Sequence, residues 1–342
     1  MMNNPKYSNL IKIFFPVTAI LLLIILWQWQ TSNSTSKNNI PTIGVIQVVE
    51  HPALDRTRQG VLDELLSQGY KPEKTMQWLY ESAQGNPTLA TQIAQKLVGQ
   101  NVKLIVAIGT MPAQAVAKAT KRGADGNIPV VFASVTDPLE AKLIPNLKAP
   151  GDNVSGVSNF VEVNQQFDLF KKIIPSLKNI GIIYNPGEAN SVSLVELMQK
   201  AAQLKDLNLV LMPASKTSEV SAAAQGLIGK VDAIFINNDN TALSAFDAIF
   251  KVALERKIPV FSSDTDMLAK GALAALGPDQ YQIGRQAGRM VVKILRGQAA
   301  PATISVEFPQ IVELCLNLKV AEQLMISVPK DLIKEAKNII QP

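Results

Sequence analysis

The strand-like runs of this chain lack a polar face. Residues 42–49, 104–108, 130–133, 179–184 and 233–237 are short, mostly apolar segments without polar alternation. Such strands are buried on both sides, as in a parallel sheet with helices above and below. The intervening stretches supply those helices. Apolar residues recur at helical spacing in 52–67 (Leu54, Val61, Leu65), and helix patterns follow at 89–98, 113–119, 191–204, 218–227 and 241–255. Further strands are predicted at 76–80, 207–212 and 259–262. The alternation restarts at 179, where NIGIIY mirrors the first strand, so the chain holds two successive α/β units. A Pro-Gly-Asp-Asn cluster at 150–153 marks the predicted joint. After an apolar run at 272–276 comes a strong helix pattern at 281–295, closed by Gly297 as a C-terminal glycine. A last strand with a short helix or a strand pair closes the chain.

The amino terminus is of a different kind. Residues 13–27 read IFFPVTAILLLIILW, without a charge and with Thr18 as the only polar side chain; Lys6 and Lys12 precede them, and the first acid is Glu50. A basic flank, an apolar core and a polar spacer form an export signal. Candidate small residues for cleavage, such as Ser32 and Ser34, are poorly placed. An uncleaved anchor is therefore favoured over a cleaved signal peptide. No cysteine follows the apolar run, which closes the lipoprotein route. The expected layout is a short segment at 1–10, the signal or anchor at 11–30 and a flexible tether at 31–40, with the folded part beginning thereafter.

Composition narrows the chemistry. With 47% hydrophobic and 18% charged residues the folded part has a globular and not a disordered make-up. The net charge of +5 is scattered, with no run of five or six Lys or Arg, so nucleic acid is not the expected partner. Cys315 is the only cysteine and His51 the only histidine. Cys315 lies in an apolar strand-like run, where a buried inert thiol is expected. Any His-dependent catalysis would have to run through His51 alone, which is weighed as structural or rim-lining. No metal is assigned. Gly85, Gly109 and Gly187 are isolated, with no phosphate-binding pattern. The glycines of GRQAG at 284–288 lie inside a helix and are read as close-packing positions.

In an open parallel sheet, ligands bind outside the carboxyl ends of the strands. With two such sheets facing each other, those ends converge on a cleft that hinge motion can shut. The residues directly after each strand are therefore the candidates. They are polar clusters in a mostly apolar chain: Glu50-His51, Glu81 to Asn86, Gly109-Thr110, Ser134 to Asp137, Asn185 to Ser191, Asn237 to Thr241, and Ser263 to Asp266. Thr110, Ser191 and Thr241 stand at helix starts. Each could be an ordinary cap worth about 1 kcal/mol, or could offer free backbone N–H groups to a ligand carboxylate. Asp239, Asp264 and Asp266 could cap as well, or could hold a ligand ammonium group. Together they favour a zwitterion such as an amino acid. Tyr80, Phe132 and Phe160 are candidates for sensing its side chain.

Several stretches carry a family resemblance: VIQVVEHP at 45–52, AIGT at 107–110, SVTDP at 134–138, YNPGEANS at 184–191, DNT at 239–241 and PVFSSDTD at 259–266. In that order the chain resembles the ABC-transporter substrate-binding family that includes the tryptophan-binding proteins, of the periplasmic-binding-protein type I fold. The resemblance implies an α/β protein of two Rossmann-like lobes with parallel sheets, joined by a three-crossing hinge. Lobe 1 would comprise 41–155 and 277–300, lobe 2 would comprise 156–276 and 301–325, and 326–342 would be a C-terminal helix or tail. It implies ligand contacts at Gln84, Thr110, Ser134, Asn190, Ser191, Asp239, Asn240, Thr241 and Asp264, with no catalytic residue and no cofactor. The expected partners are a small solute, favoured as Trp, Phe or Tyr, and the permease subunits of an ABC importer. The membrane would hold the chain through its first helix on the periplasmic or extracellular face, and a monomer is the default. Relatives with a lipobox cysteine differ here. A membrane-anchored sensory protein of the same fold is the alternative. A hydrolase built on Asp264 and Asp266 is a weaker one, and a DNA-binding repressor is excluded because a membrane segment stands where its DNA-binding helices would be.

Overall fold

A computed structural model of the chain describes residues 40–121 and 127–342. The expected signal or anchor and nearly all of the tether lie outside the described residues. Among the described residues no helix is long and apolar enough to cross a membrane.

The first sheet forms as the apolar runs require. Strands β1 (Thr42–Gln47), β2 (Gln77–Ser82), β3 (Leu104–Ile108), β4 (Val130–Val135) and β5 (Val154–Ser158) lie in the order β2-β1-β3-β4-β5, all parallel. The helices α1 (Pro52–Ser67), α2 (Pro87–Gly99) and α3 (Thr110–Ala119) connect them. Strand β3 has no exposed residue because both faces are covered. One face buries Ile43, Val45, Leu104 and Val106 with α1, and the other buries Ile46, Ile105, Val130 and Phe132 with α2 and α3.

The second sheet has seven strands: β6 (Asn179–Tyr184), β7 (Asn208–Pro213), β8 (Ala233–Ile236), β9 (Val260–Ser262), β10 (Ala274–Pro278), β11 (Val312–Asn317) and β12 (Asn338–Ile340). Their order is β12-β11-β10-β9-β8-β6-β7, with β11 antiparallel to β10 and β12 parallel to β11. Its helices are α4 (Val163–Ile173), α5 (Ala189–Leu204), α6 (Thr217–Leu227), α7 (Asn240–Ser244) and α8 (Phe246–Glu255). On one face Phe170 stacks on Phe261 at 4.1 Å and meets Phe235 edge-on at 4.9 Å. All three rings are fully buried, and a buried aromatic of this size contributes about 2–3 kcal/mol from apolar burial.

Between the sheets the chain crosses three times. It leaves the first sheet after β5, then returns through α9 (Gln280–Leu295), and passes back to β11 at 308–311. The turn at 150–153 is therefore not the joint; it leads into β5, whose Val154 pairs with Val130. Residues 305–307 also stay with the first sheet, since the Ser158 N–H donates to the Glu307 carbonyl oxygen and the Glu307 N–H to that of Gly156, alongside β5. The last residues do more than trail: α10 (Leu318–Gln323) and α11 (Lys330–Glu335) bring β12 onto the edge of the second sheet.

Helix α9 lies against α1 almost backbone to backbone. A Cβ on Gly60 would come 2.1 Å from the Tyr281 carbonyl oxygen, and one on Gly284 would come 2.0 Å from that of Thr57. These glycines are close-packing positions, and the pairing ties the returning helix to the first lobe. Cys315 is buried in β11, where burial pushes its thiol up to about 11.

Candidate functional site

The carboxyl ends of β1, β3, β4, β8 and β9 meet between the two sheets around a narrow cavity. The first lobe contributes His51, Leu54, Gly109, Thr110, Ser134 and Thr136. The second contributes Asn190, Asn238, Asn240, Leu243 and Asp264, and the crossings contribute Asn159 and Gln280. Its wall is mainly polar, with Ala53, Leu54 and Leu243 as the apolar side chains.

Local geometry explains how these groups come to face the cavity. Gly109 turns the chain from β3 into α3 at φ 97°, a left-handed conformation suited to glycine, and a Cβ there would meet Val48 at 2.7 Å. The turn puts Thr110 on the first turn of α3, buried, with its hydroxyl unpaired among the described residues. Ser134 sits at a register shift in β4 with φ 55°, an uncommon conformation for a non-glycine residue. Its hydroxyl donates to Gln280 Oε1 at 2.8 Å, and Thr57 donates to the same oxygen at 3.1 Å. This knot joins α1, β4 and the start of α9. Thr136 donates to Asn159 Oδ1 at 3.1 Å, which fixes the first crossing beside the cavity.

From the second lobe, Asn190 donates to the Asn238 carbonyl oxygen at 2.7 Å, and Ser263 donates to Asn238 Oδ1 at 2.8 Å. Asp264 caps a short 3-10 turn, accepting from the Asp266 N–H at 2.9 Å through Oδ1. Its Oδ2 is buried without a partner. Burial, helped by the neighbouring Asp266 charge, raises its pKa to about 7. Across the cleft His51 is 7% exposed. Within normal hydrogen-bonding geometry neither of its ring nitrogens has a partner, although the Asn240 side chain lies beside the ring. Burial lowers its pKa to about 4, against the pull of Asp55, so the ring is neutral. A buried polar group left without a partner costs roughly 1–3 kcal/mol. Three of them, on His51, Thr110 and Asp264, line the one cavity.

Of the nine residues singled out in the sequence, the fold brings Thr110, Ser134, Asn190, Asn240 and Asp264 to this cavity. The other four lie elsewhere. Asp239 is buried with its oxygens engaged by three donors: the Asn185 N–H at 2.6 Å, the Ser191 hydroxyl at 2.6 Å and the Ala242 N–H at 2.7 Å. Burial and the nearby Glu188 raise its pKa against those donors. Ser191 is spent on that bond. Thr241 donates to Glu188 at 2.7 Å and accepts from Asn185 at 2.8 Å. Gln84 is exposed and lines a wider groove at the mouth of the cleft, which Thr241 also lines.

The amino end of α7, read as open to a ligand carboxylate, is occupied by the protein's own Glu188. Its two oxygens take the backbone N–H groups of Asn240 and Thr241, each at 3.0 Å. That leaves the starts of α1 and α3 as the helix ends facing the cavity from the first lobe. Thr136, Asn159, Asn238 and Gln280 were not singled out. Thr136 and Asn238 stood within the flagged clusters, whereas Asn159 and Gln280 lie just past the crossings that the resemblance implied near 155 and 277, segments outside those clusters.

The aromatic candidates also lie outside the cavity. Tyr80 lies under Arg58, 4.0 Å from guanidinium to ring, and donates to Glu50 at 3.2 Å. Phe132 is fully buried in the first lobe, and Phe160 packs on the second core. Among the described residues no three His, Cys, Asp or Glu side chains gather as metal ligands would.

The comparison with known families is decisive for the class. Residues 42–340 match the family of ABC transporter substrate binding proteins. The chain belongs to that family. A tyrosine-binding protein of Clostridioides difficile is 36% identical over 270 residues, 79% of this chain and 76% of that protein. A Streptococcus pneumoniae ABC domain solved with L-Trp is 34% identical, superposes with a TM-score of 0.83, and the match covers 88% of this chain and 99% of that one. A ligand-free, open substrate-binding protein with adhesive properties from Clostridium difficile is 32% identical, with a TM-score of 0.67 over 89% of this chain and 100% of that one. The two-lobed type I periplasmic binding fold is common to them. Substrate-binding proteins of ABC systems are extracytoplasmic solute binders.

Proposed function

We propose that this protein is the solute receptor of an ABC importer and captures an aromatic amino acid in the cavity between its lobes. The observation that carries the reading is the convergence of the three unpartnered buried groups on that cavity. Asp264 is the acceptor for the ligand ammonium group, and a charged hydrogen bond there repays its desolvation. Thr110, at the positive end of α3, is the donor for the carboxylate. No nucleophile or metal is needed, because the function is binding and closure, not chemistry.

Two relationships support the ligand class. A protein named for tyrosine and one solved with L-Trp are both similar to this chain over most of its length. The superposition is also better on the Trp-bound relative than on the open one at nearly equal identity, which supports reading the lobes as closed. Across the cleft, Arg56 reaches Asp266 at 3.2 Å, a contact that an open form would break.

Thermal unfolding of the purified protein against each of the twenty amino acids tests the reading. A ligand at about 100 times its Kd adds roughly 2.7 kcal/mol and raises Tm by several degrees. A shift with Tyr, Trp or Phe that disappears in Asp264→Asn is the expected result. No shift with any amino acid sinks it.

A further inference from the structure

His51 occupies a position that its own helix gives no reason for. It is the N-cap of α1, where Ser, Thr, Asp or Asn would satisfy a backbone N–H, yet its side chain makes no capping bond. Helix α1 starts without it, since Pro52 follows at the first helical position. Among the described residues neither ring nitrogen has a partner in normal hydrogen-bonding geometry, with the Asn240 side chain beside the ring, although the ring is almost wholly buried. The side chain thus forgoes the cap, and it lines the same cavity as Thr110 and Asp264.

We propose that His51 accepts a hydrogen bond from a donor on the ring of the bound amino acid, the phenolic O–H of tyrosine or the indole N–H of tryptophan, and so discriminates against phenylalanine. The inference rests on the amino-acid reading above. In that reading Asp264 and Thr110 serve the two charged ends that every amino acid shares, which leaves His51 as the unpartnered group for what differs. Burial holds the ring in its neutral form, with one N–H and one acceptor nitrogen. A neutral acceptor suits a neutral N–H or O–H donor. It suits neither a second ammonium nor a second carboxylate as well as an ion would. The tyrosine-binding relative and the relative solved with L-Trp have ligands that share a ring-borne donor. Phenylalanine has none. A site built around such a donor rejects the analogue lacking it, because the acceptor is then buried unpaired.

The test is the equilibrium Kd of Tyr, Trp and Phe for the purified protein and for His51→Leu and His51→Gln. The tighter of Tyr and Trp is expected to bind at least tenfold more tightly than Phe. In His51→Leu that ratio should fall to within about twofold, and in His51→Gln, which keeps an acceptor and a donor, it should recover in part. Phe binding as tightly as both others to the wild type overturns the proposal. So does a His51→Leu variant that weakens all three by one common factor. Either of those outcomes leaves the amino-acid reading intact. If none of the three binds the wild type, the functional reading falls and this proposal with it.

Discussion

Replacing Asp264 with Asn should stabilise the protein while abolishing binding. An ordinary aspartate ionises near 3.8, whereas Asp264 is held near 7 by burial, then by Asp266. The folded state therefore keeps its proton where the unfolded chain has already lost it. Below about pH 4 both states are protonated and the residue has no effect on stability. As pH rises from about 4 to 7 the unfolded state gains an advantage of about 1.4 kcal/mol per unit, up to about 4 kcal/mol. Water in the cavity solvates part of the charge, so that figure is a ceiling. Asn keeps the oxygen that accepts from the Asp266 N–H but carries no charge. Circular dichroism melts of unliganded wild type and variant should coincide near pH 4. At pH 8 they should differ in favour of the variant, by as much as about 5–8 °C. A wild type that is the more stable at pH 8, or a gap independent of pH, would refute the assignment of Asp264 as a desolvated, ligand-directed carboxyl. Loss of stability in exchange for function is the usual bargain at a binding site.

The same carboxyl makes binding pH-dependent. An ammonium ligand needs Asp264 ionised, so the affinity should weaken up to tenfold per unit as pH falls below about 7. Calorimetry at pH 7 in two buffers of different ionisation enthalpy should show release of roughly half a proton per ligand bound. Glu188→Gln turns an amide NH₂ towards the N–H of either Asn240 or Thr241; urea unfolding should show a loss of roughly 2–3 kcal/mol. Gly284→Ala drives a methyl group into the Thr57 carbonyl oxygen and should cost about 3 kcal/mol or more, read as a lower Tm. Arg56→Ala removes a half-exposed bridge across the cleft, to Asp266, and a second to the Asp279 cap of α9. It should weaken ligand binding only about two- to fivefold with little change in Tm; a loss beyond tenfold would mean that Arg56 touches the ligand.

Much of this architecture is legible in the sequence because burial on both faces strips a strand of polar residues. Strand β3 is a case in point: LIVAI can be nothing but interior. Strand β5 escapes the same reading because VSGVS is short and half polar; its serines are consumed by bonds to the Thr136 and Ile304 carbonyl oxygens. Helix α4 does carry a helical stripe, with Val163, Phe167, Phe170 and Ile173 buried, but it lies just past the turn cluster that looked like a joint. Strand β12 is three residues long and exists only because β11 offers an edge.

At the site, the position of the polar clusters after the strands follows from parallel topology and is visible in the chain. Which members of a cluster stay free is not. Asp239 and Asp264 look alike in sequence, yet the first is saturated by three donors and the second retains an unpaired oxygen. The difference comes from Ser191 and Asn185, some fifty residues away from Asp239, and from Glu188 closing the end of α7. His51, read as structural or rim-lining, has no structural bond to account for it.

Isothermal titration of the purified protein with L-tryptophan and L-tyrosine at pH 8 tests the central claim most directly. The expected result is a single saturable site with one ligand per chain, lost in Asp264→Asn and strongly weakened in Thr110→Ala. Saturable binding that survives both substitutions, or no binding of either amino acid, would contradict the claim that this cavity holds an amino-acid ligand through those groups.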